Sequence, residues 1–357
     1  MPKTKKTAPP WKGRASMAKR PTTESPLHGV DLLLADLDGV VYAGANAIPH
    51  AVESINRAAE GRRVGYLTNN ASRTAASVAQ HLTELGLLVT EDDVVTSPQA
   101  AVRLLADLVP AGSTVLVVGG DGLTTVVEAA GFVVTDSALE HPAAVIQGFA
   151  QNVGWVQLAE ASYALGADET MPWVATNTDW TIPQARGIAP GNGTLVSAVH
   201  TAIGRLPIVA GKPEIAIFRE AVARFGGSKP LFIGDRLDTD ILGANRAEME
   251  SVLVLTGIDH SKKVLAADAK SRPTYLLEDL RELDQPYPAA VRKTTLRGAT
   301  TVTVGDATVQ LLGTAVTIVK AGRPIDLLRA ASTLIWESGL PIYGLDVAPE
   351  LYDEGSV

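Results

Sequence analysis

The tetrapeptide Asp36-Leu37-Asp38-Gly39 closes a mostly apolar run, Val30 to Ala35, and constrains the fold more than any other feature of the chain. A short leucine-rich run bounded by acid and glycine reads as a buried parallel strand ending in a loop. In open α/β sheets, ligands gather at the carboxyl ends of the strands. Two carboxylates one residue apart at such a point can divide labour: one attacks or holds a cation, the other moves protons. Asp-x-Asp-Gly also occurs in calcium loops and ordinary turns, so its meaning depends on the segments that follow.

From Val30 onward, short apolar strands alternate with amphipathic helices. The pattern predicts strands at 30–35, 64–67 and 93–95 and helices near 50–60, 73–85 and 98–109, the rhythm of a parallel sheet. A second series runs from a strand at 114–118 to a helix at 194–204 and reads as a small α/β domain of its own. Within it, Asn177 to Gly193 reads as an irregular, exposed loop. The first rhythm then resumes, with helix 213–225, strand 231–234, helix 239–248 and strands at 251–255 and 274–277. A core interrupted by an insertion explains this order.

Beyond the proline-bearing linker Asp284-Gln285-Pro286-Tyr287-Pro288, residues 291–320 are β-rich, 323–337 helical and 341–346 a short strand. The expectation is a small ββαβ module with no glycine-rich phosphate loop and no acid or histidine cluster. The expected fold class is α/β: a Rossmann-like core with a parallel sheet, an inserted α/β cap and a small α+β C-terminal module. The boundaries fall at 29–110 and 206–285 for the core, 111–205 for the cap and 286–357 for the module.

Composition narrows the function classes. The chain has 357 residues, 46% of them hydrophobic and 20% charged, enough for two or three domains with buried cores. No apolar run approaches the length needed to span a bilayer. The absence of cysteine excludes disulfides, thiolate metal sites and a cysteine nucleophile, and suits a cytoplasmic location. The six histidines show no metal-type spacing. The first twenty residues carry seven Lys and Arg and no acid; the whole chain carries −8, so the rest carries −15. A body that acidic is a poor general nucleic-acid binder. Residues 1–28 read as a disordered basic tail without a signal-peptide core, and Met17 offers an alternative start.

Three later segments complement Asp36 and Asp38. Tyr66-Leu67-Thr68-Asn69-Asn70 is a strand running into a hydroxyl and two amides, able to hold a phosphate oxygen or simply to cap a helix. Gly211-Lys212-Pro213-Glu214 places a lysine at a helix start, where it can neutralise phosphate or stand in a surface turn. Gly234-Asp235-Arg236-Leu237-Asp238-Thr239-Asp240 is again an apolar strand running into acids. Three carboxylates in six residues repel one another unless a cation balances them.

The order of these four segments resembles the four motifs of the haloacid-dehalogenase-like hydrolase superfamily, and the resemblance covers Val30 to Leu283. Only 31 residues separate Asp36 from Thr68, whereas 143 separate Thr68 from Lys212, room for a cap. That placement resembles the branch with a large α/β cap between the second and third motifs. This branch includes p-nitrophenylphosphatase-like, phosphoglycolate and glycerol phosphate phosphatases.

The resemblance implies that Asp36 is a nucleophile forming an aspartyl-phosphate and that Asp38 is the acid and base. Asp36, the Asp38 carbonyl and Asp235 are implied as ligands of Mg²⁺. Thr68, Asn69 and Lys212 are implied to hold phosphate, and Asp240 to orient Lys212 or bound water. Thr176 to Pro183 is similar to the family's Asn-x-Asp-x-x-x-Pro signature, which points to Asn177, Thr178 and Asp179 for specificity; Arg186 and His200 are further candidates for reading a substrate carboxylate.

The expected activity is hydrolysis of a small phosphorylated metabolite, glycerol 3-phosphate or 2-phosphoglycolate, with pyridoxal phosphate or a sugar phosphate as the alternative. The rival from another class is a non-catalytic metabolite-binding regulatory protein, against which the intact motifs argue. Nucleic-acid partners and membrane spans are not expected; a homo-oligomer remains open.

Overall fold

The structure is a computed structural model describing residues 24–184, 186–296 and 298–352. Most of the tail expected at 1–28 lies outside these residues. Where the described chain begins it is already folded. Leu27 is buried, its carbonyl accepts from the Arg62 guanidinium, and the Glu24 carbonyl accepts from the Tyr287 N–H. The folded body therefore starts before Val30, and one leucine among polar neighbours was too weak a pattern to mark it.

The chain divides into two compact units. One comprises the residues up to Val64 together with those from Gly227 onward; the other is Gly65–Gly226.

In the first unit, strands Leu32–Ala35, Pro230–Gly234, Glu250–Val254 and Tyr275–Leu277 lie side by side in parallel, with Leu32–Ala35 next to Pro230–Gly234. Every residue of Leu32–Ala35 and Pro230–Gly234 is buried, as expected of a parallel sheet covered on both faces. The helix predicted at 239–248 is instead a π-helical turn, Leu237–Ile241, followed by a short helix, Leu242–Arg246.

The C-terminal part of this unit is larger than the expected ββαβ. Four antiparallel strands, Ala290–Thr294, Thr300–Val304, Ala307–Leu312 and Ala315–Lys320, precede helix Pro324–Glu337. Residues 342–344 form a 3₁₀ turn, and the last strand shrinks to Asp346–Val347. Burial alternates along Thr300–Val304, so Thr300, Val302 and Val304 point inward. There Val302, Val309, Val316, Leu328 and Leu334 share one apolar cluster with Leu237, Ile241, Leu253 and Leu276. The turn that follows Asp235 thus shares one apolar cluster with the C-terminal strands and helix.

The second unit contains a five-stranded parallel sheet, ordered Ile208–Val209, Trp173–Ala175, Ala144–Gln147, Thr114–Val118, Val133–Thr135. Helices Trp155–Ala167 and Asn192–Ile203 cover it through Ala161, Leu165, Val196 and Val199. The unit also holds the parallel pair formed by the end of strand Arg63–Thr68 and Val94–Thr96. Helix Ser97–Leu108 starts on a capping box between Thr96 and Gln99, with Pro98 in its first turn.

The loop expected to be irregular between Asn177 and Gly193 contains a hairpin, Thr181–Gln184 with Gly187–Pro190. Both feet of that hairpin are buried: Asn177 at 4% exposure, and Asn192, whose amide donates to the Asn177 carbonyl at 2.7 Å. The two asparagine amides face inward because backbone carbonyls accept from them, Asn69 from Asn177 and Asn177 from Asn192.

Candidate active site

The acids are set by adjacent strand ends. Ala35 pairs with Ile233, so Asp36 and Asp235 leave neighbouring parallel strands at nearly the same level, and the Asp36 N–H donates to the Ile233 carbonyl at 2.8 Å. Carboxylate oxygens of Asp36, Asp235 and Asp240 lie within 4.8 Å of one another. Asp36 is 9% exposed, Asp235 1% and Asp240 0%.

The turn is self-supporting. Asp240 Oδ2 accepts the N–H groups of Asp235 at 3.2 Å and Arg236 at 3.1 Å. Asp235 Oδ2 accepts the Ile258 N–H at 2.7 Å. A Cβ at Gly39 or Gly257 would collide with the Asp235 side chain, so both glycines are required for close approach.

The middle acid of the fourth motif, Asp238, stands outside the cluster and pairs with Arg236 at 2.9 and 3.0 Å. Burial pushes its carboxyl up, but the Arg236 hydrogen bonds and charge, with the Lys263 charge, outweigh burial and hold it below its ordinary value. The Asp38 side chain is exposed, in a tight turn closed by the Gly39 N–H donating to the Tyr42 carbonyl at 2.9 Å.

Clustered carboxylates repel unless a cation balances them. Here the donors are hard oxygens and the chain has no thiolate, a set that fits Mg²⁺ and not a soft ion.

The residues expected from sequence to hold phosphate lie in the second unit. Thr68 ends its strand, buried, and its Oγ1 accepts the Asn70 N–H at 3.1 Å. Lys212 is 3% exposed. The Asn69 amide, expected to touch phosphate, is turned to protein groups instead. Its Oδ1 accepts the Lys212 N–H at 2.8 Å; its Nδ2 donates to the Lys212 carbonyl at 3.0 Å and to both Asp179 oxygens at 3.2 Å. A carboxamide has two N–H groups, and both are committed here.

Asn177, expected to read substrate, is likewise turned to protein groups: its Nδ2 donates to the Asn69 carbonyl at 2.7 Å and its Oδ1 accepts the Asp179 N–H at 3.1 Å. Thr178 is half-buried and Arg186 exposed. His200 Nδ1 meets the Arg205 carbonyl at 2.9 Å, a helix-end contact that gives the ring a structural partner.

Sequence reasoning missed Thr256 to Asp259. The Thr256 hydroxyl donates to the Gly39 carbonyl at 2.7 Å, and buried Asp259 accepts the Leu237 N–H at 2.7 Å and the Lys263 ammonium at 2.6 Å. A signal was present: Glu250–Val254 is another apolar strand, and it runs through Leu255 into Thr256-Gly257, a hydroxyl and a glycine in place of the acids that singled out Asp36 and Asp235.

Two segments match family models, residues 33–133 that of haloacid dehalogenase-like hydrolases and residues 209–283 one described as HAD-hydrolase-like. The chain is 46% identical over 255 residues to the D-glycerol 3-phosphate phosphatase of Mycobacterium tuberculosis, covering 71% of each protein. The chain belongs to the haloacid dehalogenase-like hydrolase family.

A solved structure of a glycerol phosphate phosphatase from the same organism, in complex with magnesium, superposes with a TM-score of 0.80 at 39% identity, over 91% of this chain and 95% of that one. A 4-nitrophenylphosphatase from Thermotoga maritima superposes with a TM-score of 0.67 at 28% identity, over 72% of this chain but 98% of that one. The family assignment agrees with the α/β reading: a Rossmann-like hydrolase core with additional domains. The Thermotoga chain is nearly exhausted by 72% of this one, whereas the mycobacterial match extends into the C-terminal module. No helix among the described residues is long and apolar enough to cross a membrane.

Proposed function

We propose that this protein is a Mg²⁺-dependent, cytoplasmic phosphatase of small phosphorylated metabolites, acting on glycerol 3-phosphate. The observation that carries the substrate class is the 46% identity to a D-glycerol 3-phosphate phosphatase over 255 residues. The reading keeps the division into a core at 29–110 and 206–285, a cap at 111–205 and a C-terminal module from 286.

Phosphate-ester hydrolysis needs an in-line nucleophile, charge neutralisation and a proton for the leaving alcohol. The Asp36 carboxylate attacks phosphorus; the bond to the alcohol oxygen breaks as the bond to Asp36 forms. Asp38 gives its proton to the departing alkoxide and then takes one from the water that cleaves the aspartyl-phosphate. Thr68 donates to a transferring oxygen and the Lys212 ammonium neutralises it. Asp36, Asp235 and the Asp38 carbonyl would hold Mg²⁺, with Asp240 in the same acid cluster, and the bound ion would offset the repulsion between a carboxylate and a phosphate dianion. Thr178, half-buried beside the hairpin, is the remaining cap candidate for contacting the leaving group.

Phosphate release from a panel tests this reading: both glycerol 3-phosphate enantiomers, phosphoglycolate, pyridoxal phosphate and sugar phosphates, with Mg²⁺ and with excess chelator. Metal-dependent turnover favouring glycerol 3-phosphate is expected, and should fall by a thousandfold or more, in order of magnitude about that of losing a nucleophile, in Asp36→Asn. Another preferred member would reassign the substrate. No release from any member by folded protein would favour a binding role.

A further inference from the structure

Three distant segments of the second unit meet at Asn69. Its carbonyl accepts the Ser97 hydroxyl at 2.8 Å and the Asn177 amide at 2.7 Å. Its carboxamide grips Lys212 from both sides of one residue, taking the N–H and giving to the C=O, and reaches both oxygens of Asp179. The neighbouring Gly211 fits only because it has no side chain: a Cβ there would stand 2.6 Å from Asn69 Oδ1 and 2.6 Å from the Thr176 carbonyl. Asn69 follows Thr68 directly in the chain. The two groups assigned to phosphate, the Thr68 hydroxyl and the Lys212 ammonium, are therefore spaced by one intervening side chain.

We propose that Asn69 and Asp179 form a positioning pair: Asn69 fixes the Lys212 main chain relative to Thr68, and Asp179 of the hairpin loop fixes Asn69. Neither residue touches substrate in this scheme. Asp179, expected from sequence to read the leaving group, instead ties the loop Thr176–Gly193 to the phosphate-binding lysine. This inference rests on the phosphatase reading above.

The chemistry needs an amide at 69 and an acceptor at 179. Asp at 69 has the same shape but no donor, and it would set two carboxylates against each other. Exchanging the two residues restores an attractive contact: an amide at 179 donates to a carboxylate at 69, whose other oxygen still accepts the Lys212 N–H. Of these hydrogen bonds, the contact to the Lys212 carbonyl is lost. Misplacing a catalytic group by about 1 Å costs on the order of a hundredfold in rate.

The test compares wild type, Asn69→Asp, Asp179→Ala and the exchange Asn69→Asp/Asp179→Asn, using p-nitrophenyl phosphate as substrate and inorganic phosphate as competitive inhibitor. The expected result for Asn69→Asp is a loss of about a hundredfold in kcat/KM, with a weaker inhibition constant for phosphate. The exchange should recover at least about tenfold over Asn69→Asp, which no general loss of folding predicts. Asp179→Ala, on a half-buried loop residue, gives a second handle if Asn69→Asp fails to fold; its phosphate inhibition constant should rise with the melting temperature little changed.

Wild type that turns over while Asp179→Ala and Asn69→Asp match it in phosphate affinity overturns the pair alone, as does an exchange no better than Asn69→Asp. Folded wild type that releases no phosphate overturns the phosphatase reading, and the pair with it.

Discussion

The carboxylate of Asp240 receives the backbone N–H of Asp235 at 3.2 Å, so one acid of the cluster builds the turn on which another is presented. The same oxygen takes the Arg236 N–H. Asp240→Asn retains an acceptor for these amides and removes a charge. Asp240→Ala leaves them without it, at a cost of about 1–3 kcal/mol for a buried unsatisfied group. The alanine variant is expected to lose stability and Mg²⁺ response together, the asparagine variant mainly Mg²⁺ response. Urea unfolding beside an activity titration with Mg²⁺ separates the two, and identical unfolding curves for both variants would refute the turn-building role.

Gly257 touches the same acid from the other side. A methyl group there meets the Asp235 carboxylate, which is also pinned by the Ile258 N–H and cannot simply rotate away. Gly257→Ala is expected to raise the Mg²⁺ concentration for half-maximal activity by about 10- to 100-fold, the range for groups that orient a metal ligand. An unchanged Mg²⁺ titration would mean that the loop yields freely.

Arg329 anchors the C-terminal helix to the core strand Tyr275–Leu277. Its Nε and Nη2 donate to the Leu276 carbonyl at 2.9 and 2.7 Å, and its other contacts are Asp326 at 2.9 Å and Glu282 at 2.7 Å. The guanidinium also lies 4.8 Å from the Tyr287 ring centre. Removing one partner of a buried ionic network costs about 3–5 kcal/mol. Arg329→Ala should therefore be destabilised by that order in chemical denaturation. Arg329→Lys should fall between, because a lysine cannot reproduce the planar fork.

Shortening the chain at Gln285 tests the C-terminal module as a whole. It would strip Val302, Val309, Leu328 and Leu334 from the cluster and expose Leu237, Ile241, Leu253 and Leu276 to water. The truncated chain is expected to aggregate or to melt far below the intact one. A single Leu334→Ala change is expected to cost about 2–5 kcal/mol. A truncated chain with unaltered melting and kinetics would show the module to be dispensable.

Asp31 staples the starts of two adjacent strands, accepting from the Ser228 hydroxyl at 2.6 Å and the amides of Ser228 at 2.7 Å and Lys229 at 2.8 Å. Burial pushes its carboxyl up, but these hydrogen bonds prevail and hold it below its ordinary value. A group lowered on folding adds stability above its unfolded value, and that stability is lost as pH falls through the folded one. Asp31→Asn should thus flatten the acid limb of the melting temperature between about pH 5 and pH 2. An acid limb identical to that of wild type would assign the effect to other carboxylates.

What was legible in the sequence was local. Asp36 and Asp235 stood out because an apolar strand, an acid and a glycine are contiguous, and the register of Ala35 with Ile233 then aligned them. The part that escaped notice joins residues far apart in sequence. Asn69 meets Asp179 across 110 positions and Lys212 across 143, and no periodicity records such a pairing. Thr301 and Thr303 marked β-structure correctly, but four antiparallel strands cannot be counted from alternation alone when turns such as Gly305-Asp306 are short. Asn177 and Asn192 were read as exposed because composition registers polarity and not the partners that allow a polar group to be buried.

Those two buried asparagines also define where this protein can afford novelty. They clamp the ends of the hairpin ribbon formed by Thr181–Gln184 and Gly187–Pro190, in which Arg186 and Gly187 are exposed. A library that randomises the ribbon and leaves its two clamps alone would sample new contacts around a constant frame. Mutations in the clamps themselves would be paid for in the whole unit. Divergence among descendants of such a chain should accordingly concentrate in the ribbon, with the asparagines acting as its fixed bookends.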